Sequence, residues 1–316
     1  MGNLARALQH RFRDACPSGW RCTFEERIMS QGLERMLGFA PRADVLLTRD
    51  DGPERLWIEF EISRADPVAN HAKFATAHLF EPRPPTDAFV SMVSSHVTRG
   101  RSNLAASAVY LMRSIGMSAF QTSLLPTLEP ELVHQLNQRP LDELLGDPRL
   151  VVEPEIDRAL WVARSAGTIG AHRIHYAANL LEVMLNAKAW NDEIATPAGA
   201  RVWGRRTVTY FVHDPIEGTF APAKFCAFAP IDPVRTARAP AVSMDMRLYA
   251  SLDESETRFD GNVARQHLVR RLSMIEKPIA DRTDTLGRAF ERWHAKVSPA
   301  ISLHPNGPLV LVPPGW

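Results

Sequence analysis

Apolar and polar residues alternate through Leu56-Trp57-Ile58-Glu59-Phe60-Glu61-Ile62, so Ile58, Phe60 and Ile62 share one face while Trp57, Glu59 and Glu61 share the other. That pattern predicts a β-strand with one apolar side and one side bearing two carboxylates. Pro41-Arg42-Ala43-Asp44-Val45-Leu46-Leu47 is a second β-prone run. Between them Asp51-Gly52-Pro53 supplies a turn signal, since Gly tolerates positive φ and Pro fixes its own. The two strands are expected to pair antiparallel, which brings Asp44 near Glu59.

The flanking pattern predicts further elements. Thr23, with Glu26 three residues on, has a capping-box pattern, opening a helix through Ile28, Leu33, Met36 and Leu37 that stops at Gly38. Asp66-Pro67 opens a helix to about Phe80 that carries His71, Lys73 and His78. Ala88 to Val93 reads as a strand, Asn103 to Ile115 as a helix and Ala119 to Leu125 as a strand. Thr127 to Asp147 is proline-punctuated and predicts a connector with short helices. Helical spacing follows over Glu155 to Ala166 and His175 to Trp190. Arg201 to Val212, Ala223 to Phe228 and Met244 to Ala250 are β-prone, and a helix from Asn262 carries Arg265, Arg270 and Arg271. The expected fold class is α/β (α+β): a mixed sheet flanked by helices over residues 1–130, a helical connector over 131–199 and a C-terminal mixed α/β domain over 200–316.

Two close carboxylates repel each other unless a proton or cation neutralises them, and oxygen-only ligands suit a hard ion such as Mg²⁺. The simpler alternative is a solvated polar face on which Arg49 or Arg55 balances Asp44, Glu59 and Glu61.

Asp44, fourteen residues, then Glu59-Phe60-Glu61 resembles the hallmark of the PD-(D/E)xK nuclease superfamily, an Asp on one strand and (Glu/Asp)-x-Lys on the next. The chain departs from it in placing Pro41 three residues before the Asp and Glu61 where most members have Lys, although some restriction enzymes carry Glu there. The resemblance implies a restriction-endonuclease-like core and Mg²⁺-dependent hydrolysis of phosphodiester bonds in double-stranded DNA. It implies Asp44, Glu59 and the backbone carbonyl of Phe60 as metal ligands, and Glu61 as the group that orients or deprotonates the attacking water. Glu25 or Glu26 matches the place of an additional metal-facing acid, with a capping or surface role as the alternative. Lys73 stands where a migrated Lys supplies positive charge in some relatives, or is a solvated helix residue. A type II restriction endonuclease acting as a homodimer is the expected function. The competing class is a non-catalytic DNA-binding or assembly protein with a degenerate nuclease core.

Composition alters this picture little. The 316 residues carry 37 Lys and Arg against 36 Asp and Glu, a net charge of +1, so any DNA contact must come from local clusters of cations. Candidates for DNA contact are Arg99 and Arg101, expected in a loop, together with Arg205, Arg206, Arg270 and Arg271. Trp203, Tyr210 and Phe211 either stack on DNA from a sheet or fill a core. Cys16, Cys22 and Cys226 lack Cys-x-x-Cys spacing and are expected to be free thiols. No membrane-length apolar run or signal-peptide core is present, so a cytoplasmic location is expected. Phosphate-binding loop, dinucleotide, zinc-protease and serine-hydrolase motifs are missing from the sequence, and His172 and His175, at a helical interval, have no acidic or Cys partner nearby.

Overall fold

The structure, a computed structural model, describes residues 2–63, 68–165, 168–169, 172–176, 180–204, 207–214, 218–222, 227–228, 249–252, 275–279, 284–305 and 307–312. The chain divides into two compact units, Met1–Gly167 and Thr168–Trp316.

The first unit opens with α1 (Asn3–Asp14), whose Leu4, Leu8 and Phe12 recur at helical spacing and are fully buried. β1 (Trp20–Arg27) follows and then α2 (Gln31–Leu37). The expected helix over Thr23 to Gly38 is therefore half strand. Ser30, not Thr23, is the N-cap and accepts from the Leu33 N–H, while Gly38 ends the helix in the left-handed region at φ 76°. Thr23, Phe24, Glu26 and Arg27 pair instead along β2 (Arg42–Arg49), in a register running from Trp20 opposite Arg49 to Arg27 opposite Arg42 and interrupted at Glu25.

β2 pairs antiparallel with β3 (Arg55–Glu61), as the hairpin pattern predicts, although Gly52 keeps an ordinary φ in the turn. α3 (Val68–Phe80) carries the chain over to β4 (Asp87–Ser94), parallel to β3. The Asp66-Pro67 start signal lies outside the described residues. α4 (Arg99–Ser114) then leads to β5 (Ser118–Leu124), parallel to β4. The sheet order is β1-β2-β3-β4-β5, a five-stranded mixed sheet. His96 to Arg101, expected as a loop, instead leads into a helix: Thr98 is the N-cap and Arg99 and Arg101 lie in the first turn of α4.

Each face of the sheet has its own core. Val45, Leu47, Ile58, Phe60 and Ile62 pack with α1 and with α5 (Pro130–Gln138), α6 (Leu141–Leu145) and α7 (Glu153–Ser165). Leu46, Trp57, Phe89 and Ala119 pack with Leu33 of α2, Phe74 and Ala77 of α3, and Val109 and Met112 of α4. The result is a mixed α/β layer structure with helices on both faces. The expected boundary at residue 130 moves to 167 because the apolar sides of α5, α6 and α7 complete the first core. Glu155 of α7 reinforces this by accepting from the Leu125 N–H (3.0 Å) and pairing with Arg158 (2.6 Å).

In the second unit, Thr168–Ile169, His172–Tyr176, Tyr249–Leu252 and Ala227–Phe228 form an antiparallel sheet. His172 and His175 thus lie on a strand rather than a helix, and the expected helix from His175 begins at Leu180. Arg201 and Trp203 belong to a helix, Pro197–Trp203, started by Thr196 as N-cap and Pro197 at its first turn, not to the expected strand. Trp203, Tyr210 and Phe211 are 1%, 3% and 1% exposed, which settles their alternatives in favour of a core. Phe211, Phe220, Phe290 and Trp293 meet edge-on or tilted at 4.9 to 5.8 Å. Among the described residues no helix is long and apolar enough to cross a membrane.

A fragment ending at Gly167 is expected to unfold cooperatively, and one ending at residue 130 is expected not to fold. The shorter chain loses Val133, Leu136, Leu144, Ile156 and Leu160, all at most 3% exposed. At about 1.5–3 kcal/mol for each buried side chain, that loss matches a whole domain stability of about 5–15 kcal/mol. Circular-dichroism melts of the two fragments check it.

Candidate functional site

The pairing of β2 with β3 ends at Val45 opposite Ile58, whereas β2 stays with β1 as far as Arg42 and β3 stays with β4 as far as Glu61. The two strands thus part into a fork directly beyond Val45 and Ile58. Asp44 is the first residue in it, and its Oδ2 accepts the Phe60 N–H at 2.7 Å, so a side chain replaces the missing ladder bond. The alternation of β2 shifts here as well: Val45 packs in the α1-side core and Ala43 in the core on the other face.

A cavity of about 310 Å³ occupies the fork, lined by Asp44, Glu59, Phe60, Glu61, Glu25 and Arg42 among others. Asp44, Glu59 and Glu61 are 9%, 4% and 7% exposed, so the alternative of a solvated polar face does not hold. The Phe60 ring turns away into the core, edge-on to Phe12 at 5.0 Å. Of the two further acids named from sequence, Glu25 lines the cavity. Glu26, opposite Ala43, is not among the lining residues, and both lie on a strand instead of the expected helix.

α3 forms the wall beside β3. Asn70 Nδ2 donates to Glu59 Oε2 (3.3 Å), and His71 Nδ1 stands 4.0 Å from Glu61 Oε1. His71 is fully buried and edge-on to Phe89 at 5.2 Å, which fixes its ring. Lys73, on the same helix, is partly exposed and does not line the cavity. Sequence reasoning placed His71 on the helix without a role and passed over Asn70 and Arg42. The signal for the first two was their place in the first turn of the helix that follows β3. For Arg42 it was the position two residues before Asp44, on the same strand.

Burial dominates the electrostatics. It pushes the Asp44 carboxyl up to about 6, with nearby Glu25 acting in the same direction and the Phe60 N–H opposing it. Glu59 is raised well above the ordinary carboxylate range, first by burial and then by Asp44 and Glu61. Glu59 Oε1 has no hydrogen-bond partner although it is buried. A buried, orphaned carboxylate oxygen beside a second acid is costly unless a proton or cation meets it.

No group of three or more His, Cys, Asp and Glu stands close enough to cage a metal among the described residues. The carboxylates share a cavity without closing around a point. Such a set fits a hard cation that keeps several waters and takes one or two protein carboxylates, and does not fit a tetrahedral zinc site. Asp44 and Glu59 are the residues that would hold it.

No protein-family model matches this chain, and no match to a curated protein or to a solved structure reaches significance.

The expected DNA contacts separate. Arg101 is partly exposed in the first turn of α4, and Arg99 begins that helix. Arg205, Arg206, Arg270 and Arg271 lie outside the described residues, as does Cys226, whereas Cys16 and Cys22 are free thiols. Among the described residues, Arg42 is the one cation lining the cavity.

The raised acids fix the sign of a pH effect. Asp44 and Glu59 bind protons more tightly in the folded chain than in the unfolded one. Their stabilising contribution is therefore complete below the ordinary carboxylate range and is lost as pH rises through the raised folded-state values, about 6 for Asp44. In chelator at pH 8, Asp44→Asn and Glu59→Gln are each expected to raise the melting temperature, on the order of 5 °C. The gain should vanish at pH 4. Scanning fluorimetry across pH checks it, and a lowered melting temperature at pH 8 in both variants would contradict it.

Proposed function

We propose that the fork is the active site of a divalent-cation-dependent endonuclease acting on double-stranded DNA, related to the PD-(D/E)xK superfamily and of the restriction type. The observation that carries this reading is the buried pair Asp44 and Glu59 at the strand fork, with Glu59 Oε1 left without a partner. A bound Mg²⁺ would supply charge to the scissile phosphate and acidify water.

The chain's own residues do the rest. Asp44 is held by the Phe60 N–H and Glu59 by Asn70, so both carboxylates are oriented before a ligand arrives. Glu61, one strand position further along the same face, takes the proton of the attacking water or orients that water, steadied by His71. Arg42, exposed and lining the cavity, would meet a phosphate oxygen. Two copies related by a two-fold axis would cut both strands of a duplex.

One observation favours the second reading, a DNA-binding or assembly protein with a degenerate core: Glu61 occupies the usual Lys position and Lys73 does not line the cavity. Incubation of plasmid and phage DNA with Mg²⁺ separates the two. Cleavage is expected in the wild type. Asp44→Ala and Glu59→Ala should each reduce it roughly 10²-fold or more, while Lys73→Ala should change it little. Unchanged cutting in both acid variants would exclude this site, and tight DNA binding without any cutting would favour the second reading.

A further inference from the structure

Gln9 lies on α1, in a different layer from the acids of β3, yet its side chain reaches the fork. It is 3% exposed, and its Nε2 donates both to Glu25 Oε1 (3.1 Å) and to the backbone carbonyl of Asp44 (3.0 Å). Glu25 has its own peculiarity. At φ 56° it adopts the left-handed conformation that side-chain-bearing residues rarely take, at a cost of about 1–2 kcal/mol. Its neighbours pair normally, Phe24 with Val45 and Glu26 with Ala43, which leaves Glu25 facing Asp44 at the one step where the ladder is interrupted. Arg42 holds the turned peptide by donating to the Glu25 carbonyl at 2.8 Å. The distortion thus coincides with the place where the Glu25 side chain enters the cavity.

We propose that Gln9 is a positioning residue that ties the Glu25 carboxylate to the Asp44 backbone, so that α1 sets the spacing of the acids facing the cation. This rests on the reading of the fork as a cation site. A purely structural anchor between α1 and β2 would need only the bond to the Asp44 carbonyl. The second bond, to a carboxylate that lines the cavity, is charge-assisted and takes up the remaining amide hydrogen. Residues that orient ligands in this way govern metal affinity by about 10–100-fold.

The test titrates the full chain with Mn²⁺ alone by calorimetry, comparing wild type, Gln9→Met, Gln9→Asn, Glu25→Gln and the Gln9→Met/Glu25→Gln double variant, with a melting curve for each. Gln9→Met and Glu25→Gln are each expected to weaken Mn²⁺ binding by roughly tenfold, and the double variant no more than Glu25→Gln alone, because both act through one carboxylate. In Mg²⁺-dependent cleavage the same variants should lower kcat with little change in KM for DNA. Should Gln9→Met fail to fold, Gln9→Asn, too short to reach both acceptors, carries the comparison. Native Mn²⁺ affinity in a folded Gln9 variant or in Glu25→Gln, or losses that add in the double variant, would overturn the role of Gln9. Asp44→Asn keeping native Mn²⁺ affinity would sink the cation site itself, an outcome distinct from the others.

Discussion

Two carboxylates forced together out of water set the terms for the rest of the first unit. Asp44 and Glu59 lie at the mouth of a strand fork, more than nine-tenths buried, with Glu25 and Glu61 contributing to the same field. In water such neighbours interact by about 1 kcal/mol, but in a partly buried setting the repulsion grows several-fold. Among the described residues, the side-chain hydrogen bond to Glu59 comes from the neutral amide of Asn70. The Phe60 N–H lowers the cost of a charged Asp44 without removing it. A surrounding structure must hold this arrangement, and the two apolar layers do so: Ile58, Phe60 and Ile62 anchor β3 on one side and Trp57 on the other. Stability is drawn from the cores and spent at the fork, the pattern expected where a site is kept ready for a ligand of opposite charge.

The fork also explains why these acids sit together at all. Within a continuous ladder, alternation confines each side chain to one face, and residues of α1 and α3 could never meet. Beyond Val45 and Ile58 the strands part and that separation lapses. Helix α1 can then reach the Asp44 carbonyl through Gln9 while α3 reaches Glu59 and Glu61 through Asn70 and His71. The site is a meeting of two layers at a break in the sheet, and its polar groups satisfy one another across that break.

Much of this was legible in the chain because β3 reports both its faces: Ile58, Phe60 and Ile62 against Trp57, Glu59 and Glu61 is a period-2 pattern that no helix would preserve. Elements whose formation depends on a partner strand were less readable. Thr23 and Glu26 satisfy a capping box in type and spacing, yet they lie on β1, since pairing with β2 outweighs a cap of about 1 kcal/mol. His175 and Arg201 were misjudged for related reasons: the first pairs with Ser251, far along the chain, and the second follows Thr196 and Pro197, a start signal overlooked beside Val202 and Trp203. α1 was not legible because it starts at Gly2 without a side-chain cap or an acid in its first turn, and Arg6, His10, Arg11 and Arg13 interrupt the stripe of Leu4, Leu8 and Phe12. Glu25 and Glu26 could not be separated, because only the backbone turn at Glu25 decides which carboxylate lines the cavity.

That turn bears on the departure from the (Glu/Asp)-x-Lys pattern. A lysine at position 61 would place its ammonium beside Glu59 and neutralise part of the field there. Glu61 adds charge of the same sign, so whatever offsets the acids must come from elsewhere. His71 stands 4.0 Å from Glu61 and is fully buried. Arg42 is exposed and spends one guanidinium bond on the Glu25 carbonyl. On the reading proposed for the fork, a bound cation would take the part that a lysine has in the common pattern, and Glu59 Oε1, buried and without a hydrogen-bond partner, is the oxygen it would meet.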